Sequence, residues 1–217
     1  MMKAILRADF LNLKQSARTL GLLIIFFVAI ALFTRDVISF AGTFLIMILL
    51  IVPFNLFSYD AAYGWDKLTL SLPISRHHVI LSKYVLCIGL GASLLLFTSV
   101  VSILYCLQNP ETELSTQLSI LLFCTAVALL LLAIMFPLIV KYGVTKGRYI
   151  LLAVVWLPII LMLFLKNSNM PNPFTQLNLI EKTGNLLSFA LLSFTICCVI
   201  YMISALLSIH IYQKKEF

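Results

Sequence analysis

An all-α membrane protein with six transmembrane helices is the fold class this sequence predicts, on three observations. Of its 217 residues, 62% are hydrophobic and only 11% charged, where a soluble domain carries about 25% charged residues. Mean hydropathy is +1.10, which makes the bilayer the expected solvent. The apolar residues fall in long runs around one polar island at residues 59–83, YDAAYGWDKLTLSLPISRHHVILSK. The chain is read as a single transmembrane domain, residues 1–217, with a handle that another protein can grip.

Residues 1–19 form the first element, an amphipathic interfacial helix. Leu6, Phe10, Leu13, Ala17 and Leu20 recur at spacings of 4, 3, 4 and 3, beside a basic stripe of Lys3, Arg7, Lys14 and Arg18. Such a helix lies in the membrane surface with its basic heads at the lipid phosphates, so lipid is an expected partner. Ala29-Ile30-Ala31 imitates a signal cleavage site, but the basic region before it is long and the apolar run continues beyond it. Both features argue against cleavage.

A membrane-crossing helix needs about 20 apolar residues. The six candidate spans are residues 20–33, 37–57, 84–107, 118–140, 149–165 and 186–211. The first has 14 residues, about 21 Å against a core of about 30 Å, and borrows length from the helix before it. Pro137 and Pro158 fall inside spans, where neighbouring helices satisfy the freed carbonyls. With both termini cytoplasmic, twelve Lys and Arg face inward and only Arg35, Lys166 and Lys182 face outward. This positive-inside bias sets the orientation.

The composition excludes several functions. A net charge of +7 could attract nucleic acid, but no basic patch combines with exposed aromatics outside the spans, so no nucleic-acid partner is expected. Cys87, Cys106, Cys124, Cys197 and Cys198 lie in apolar runs without metal or redox spacing and read as small buried hydrophobes. His77 and His78 are sequence neighbours expected on different helix faces, with no acidic or Cys partner nearby, so no metal site is assigned. The six spans hold no Asp, Glu, Lys, Arg or His before His210. Ion-coupled carriers and intramembrane proteases need such groups. No phosphate-cradling loop is present either, since the glycines of Gly143-Val-Thr-Lys-Gly147-Arg are wrongly spaced. Neither catalytic nor cofactor-binding residues are assigned, and any energy must come from another subunit.

That returns attention to the island. Read as a helix, Ala61, Trp65, Leu68 and Leu72 form one apolar stripe, while Tyr63, Asp66 and Leu70 form a mixed stripe opposite. Pro73 stops the helix, Ser75 is placed to cap the next, and Arg76 leads toward the third span. A short two-faced helix between spans two and three suits a docking element, and suits equally a surface helix that shields the bundle.

The string from Trp65 to Tyr84, W-D-K-L-T-L-S-L-P-I-S-R-H-H-V-I-L-S-K-Y, resembles the signature of small bacterial permease subunits in the type-2 ABC exporter family. Asp60 stands where that family commonly has an acidic residue. The resemblance covers essentially the whole layout. It implies that residues 59–76 are a cytoplasmic coupling helix seated in a separate ATP-binding subunit. Asp60, Tyr63, Trp65, Asp66, Lys67, Leu68, Leu70, Leu72 and Arg76 are then the coupling residues. It further implies a second permease copy, as homodimer or close heterodimer, with ATP and magnesium held by the partner ATPase. Unlike many relatives, the loop at residues 166–185 has only about twenty residues and cannot form an extracellular domain. A short re-entrant helix within it remains open.

The expected function is the membrane-spanning subunit of an ATP-driven exporter in the bacterial cytoplasmic membrane, not an enzyme by itself. Ser93, Thr98, Ser99, Ser102, Tyr105, Ser188, Ser193, Thr195, Tyr201 and Ser204 stud the spans. They would offer a weakly polar path for amphipathic or hydrophobic cargo, or serve as ordinary helix–helix hydrogen bonds. Small relatives of this type resemble exporters of antimicrobial or cytolytic peptides, so peptides lead, ahead of lipids and drugs. The alternative is the substrate-binding membrane subunit of a vitamin uptake system. Gly89 and Ser93, with Gly91 and Ala92, mark a small-residue face expected to pack closely, within one subunit rather than between two.

Overall fold

In a computed structural model, the described residues are 37–64, 76–108, 113–167 and 186–214, with a few isolated positions before them. Every long element among these is an α-helix: α1 (Val37–Tyr63), α2 (Arg76–Gln108), α3 (Leu114–Asn167) and α4 (Leu186–Gln213). All four contain stretches long and apolar enough to cross a membrane. They correspond to the expected second, third, fourth and sixth spans. The first span and most of the interfacial helix lie outside the described residues. Of the basic stripe, Arg7 is described, helical and exposed, while Lys3, Lys14 and Arg18 are not.

The expected fourth and fifth spans are two limbs of α3, separated at Gly143, where φ is 81° and ψ is 170°. That conformation is open essentially to glycine alone, so the sequence breaks the helix there. The limbs come so close that a Cβ on Gly147 would sit 3.1 Å from the Ile139 Cα. Gly143 and Gly147, unfit for a phosphate loop, are the turn between the limbs. Helices α1 and α3 also meet closely, since a Cβ on Gly42 would clash with the Cys124 Sγ at 2.6 Å.

Inward faces follow the helical period. In α4, Ala190, Cys197, Tyr201, Ser204, Ala205, Ser208 and Tyr212 are buried, spaced to form one stripe. Mostly small, they let α4 lie close against α3. Leu45 and Leu49 of α1, Ile80 and Tyr84 of α2, and Leu132 and Phe136 of α3 complete the same core. Pro53 sits inside α1 without ending it.

Three expectations need correction. The apolar stripe from Ala61 to Leu72 is not one helix. Tyr63 is the last residue of α1, and Gly64 follows with φ of 63°, the left-handed residue that commonly closes a helix. Gly89 does not pack against another described helix, since among the described residues nothing lies within 4 Å of where its Cβ would be. Gly91, two residues on, turns toward Leu49. Thirdly, the imidazoles of His77 and His78 converge, with ring centroids 4.3 Å apart.

Candidate functional site

The end of α1, the start of α2, the Gly143 turn and the end of α4 gather at one end of the bundle. A cavity of about 80 Å³ there is lined by Phe57, Asp60, Ile80, Lys83, Ile139, Gly143 and Tyr212, among others. Asp60 and Lys83 meet across it: Lys83 Nζ donates to Asp60 Oδ2 in an ion pair. Both residues are buried, at 6% and 2% exposure. Lys83 Nζ also lies 5.0 Å from the centre of the Phe57 ring, within reach of a cation–π attraction. Desolvation of two charges is costly, and only close pairing with satisfied hydrogen bonds offsets it.

One residue further along α2, Tyr84 builds a second link. Its hydroxyl lies 2.9 Å from Ser204 Oγ and 2.7 Å from Ser208 Oγ, both on α4. Ser204 Oγ donates to the Ala133 carbonyl of α3 at 2.6 Å. That carbonyl only accepts and a serine has one hydroxyl proton. Ser204 therefore accepts from Tyr84, and Tyr84 accepts from Ser208. Tyr201 donates to the Tyr84 carbonyl at 3.2 Å, and the Tyr84 ring stacks on Phe136 at 4.2 Å. Three helices are thus tied at the same level by directed bonds.

The coupling residues read from the sequence divide. Asp60 is turned into the bundle against Lys83. Tyr63 is 66% exposed at the tip of α1 and stacks on Tyr59, with ring centroids 6.3 Å apart. Arg76 opens α2. Trp65, Asp66, Lys67, Leu68, Leu70 and Leu72 lie outside the described residues. Sequence reasoning missed Lys83 and Tyr84 as structural partners. The short spacing in Ser82-Lys83-Tyr84, three polar side chains entering an apolar run, was the available signal.

The hydroxyls of the spans are largely used by the helices themselves. Ser93, Thr98, Ser99, Ser102, Ser193 and Thr195 each donate to a carbonyl three or four residues earlier. Tyr201 and Ser204 belong to the Tyr84 network. What does open sideways is an apolar groove of about 160 Å³ between the helices, lined by Leu49, Ile88, Gly91, Leu129, Phe194 and Met202, among others.

Long apolar helices, tied by a few buried polar links and carrying exposed apolar outer faces, define a multi-pass membrane protein. A family model described as ABC-2 family transporter protein matches residues 4–213. The chain belongs to that family and is an ABC-2 type permease, the membrane subunit of an ABC exporter. Subunits of this kind are transport components and generally not catalytic themselves. No curated protein and no solved structure matches the chain.

Proposed function

We propose that this permease exports amphipathic or hydrophobic cargo, peptides first, from the cytosol or inner leaflet of the bacterial cytoplasmic membrane. A separate ATP-binding subunit, holding ATP and magnesium, drives it through residues 59–76. The observation that carries this reading is the family match over residues 4–213, in a sequence that has no phosphate-cradling loop of its own. Exposed Tyr63 and the basic end of the bundle, where Lys141, Lys146 and Lys214 are exposed, support that end as the cytoplasmic one. The apolar groove supports cargo with an apolar face, which enters sideways from lipid and needs no polar path. A second permease copy completes the transporter, and six spans place both termini inside. The vitamin-uptake alternative has no support from the family.

Co-purification tests the reading. The chain should capture an ATP-binding subunit, and replacing Trp65 and Leu68 together with Ala should weaken that capture or its coupling. A buried aromatic truncated to Ala costs about 3–5 kcal/mol, several times what a transient docking contact can lose. Undiminished capture with undiminished cargo-stimulated hydrolysis would show that residues 65–72 are not the docking helix.

A further inference from the structure

From the Asp60–Lys83 pair and its neighbour Tyr84 we infer that the buried ion pair is a clasp, making α1, the coupling segment and α2 move as one body. The inference rests on the coupling role proposed above for residues 59–76. Asp60 lies in the last turn of α1 and Lys83 in the third turn of α2. Most of the coupling segment lies in the sequence between them, so the pair ties together the helices at its two ends. Without the tie, a push on the segment is absorbed where α1 and α2 splay apart. With it, the push reaches both helices at once.

The next residue carries the motion onward. Successive side chains on a helix diverge by about 100°. Lys83 therefore reaches α1 while Tyr84 reaches Ser204 and Ser208 on α4. Ser204 continues to the Ala133 carbonyl on α3. Stability alone gives little reason for charges here, because apolar residues of similar volume usually serve a buried site as well or better. A charge pair differs from an apolar contact in holding one direction and one register. The cavity beside it, against the Gly143 turn, leaves room for the tied ends to shift together.

The test uses the chain assembled with its co-purifying ATP-binding subunit in lipid nanodiscs, its five native cysteines replaced by Ala. His210→Cys, exposed on α4, is the reporter, labelled with a maleimide in the absence and presence of ATP with vanadate. The parent should change its labelling rate about fivefold or more, the lower end of typical coupling between sites. Asp60→Asn with Lys83→Met removes both charges of the pair together, and monodisperse elution of the complex checks that it folds. Its labelling should respond by less than about twofold, against that same scale. The exchanged pair, Asp60→Lys with Lys83→Asp, should restore most of the response. A neutral pair that responds like the parent overturns the clasp, as does a folded exchange variant that does not recover. A purely structural role would lower the yield of complex without changing the response of what assembles. A parent that captures no ATP-binding subunit sinks the coupling reading itself, and the clasp with it.

Discussion

Tyr84 shows how much one side chain can decide in this bundle. Its hydroxyl takes a proton from Ser208 and gives one to Ser204, so a single oxygen joins α2 to two turns of α4. Interhelical hydrogen bonds in membrane proteins contribute on average about 0.6 kcal/mol and at most about 1.7. Tyr84→Phe keeps the ring on Phe136 and loses only these bonds. It should lower stability by about 1 kcal/mol, read as a modest fall in the thermal midpoint of the detergent-purified protein. A loss above about 3 kcal/mol, well beyond that range, would mean the ring itself is displaced. Lys83 is a sharper case, because removing one partner of a buried pair typically costs about 3–5 kcal/mol. The sequence presents Lys83 as one more inner positive charge, yet the structure turns it inward to Asp60.

Among the elements, α3 carries the clearest consequence. Its two limbs turn at Gly143, and Gly147 then passes so close to the Ile139 backbone that a Cβ there would stand 3.1 Å from the Ile139 Cα, tighter than most side chains allow. Gly143→Ala meets a backbone conformation that costs about 1–3 kcal/mol for a residue with a Cβ. Gly147→Leu forces backbone to move, and overpacking costs a similar 1–3 kcal/mol or more. Gly89→Leu is the control, since its Cβ would meet nothing within 4 Å among the described residues. Thermal melts of the three variants should therefore rank Gly147→Leu and Gly143→Ala well below Gly89→Leu. If Gly89→Leu is instead the most damaging in complexes but harmless to the isolated chain, its face meets the second permease copy. Equal tolerance at Gly147 would mean the limbs are further apart.

At the scale of the whole molecule, the outer faces of α2 and α4 are uncovered among the described residues. Leu96, Phe97 and Leu107 on one, and Leu192, Met202 and Leu206 on the other, are exposed, as expected of surfaces that meet lipid or another subunit. Basic residues gather at the opposite end from Glu113, which is exposed just before α3. Cysteines placed at Lys146 and at Glu113 should react with an impermeant reagent from opposite sides, Lys146→Cys only from the cytoplasm. On the proposed interfacial helix, changing Lys3, Arg7, Lys14 and Arg18 all to Gln would remove about 1 kcal/mol of lipid attraction each. It should leave that sidedness intact, because eight of the twelve Lys and Arg expected inside remain. Lys146→Cys labelled from outside would invert the topology and remove the coupling segment from the cytoplasm.

The apolar runs, their lengths and the bias of Lys and Arg were legible in the sequence, because burial in lipid leaves a signal in every residue of a span. The glycine turns were missed: Gly64 ends α1, although a helix was expected to run through it, and Gly143 divides α3, where only a failed phosphate loop was noted. The pairing of side chains was not legible. Asp60 and Lys83 are far enough apart in the chain that no helical spacing relates them, and their contact exists only because α1 and α2 run back beside each other. The same holds for Tyr84 and Ser204, 120 residues apart. Periodicity reports which face of a helix is apolar, but not which partner a polar group on that face will find. A few directed bonds made that choice once the helices had packed, and they changed Asp60 from a surface contact into an internal tie.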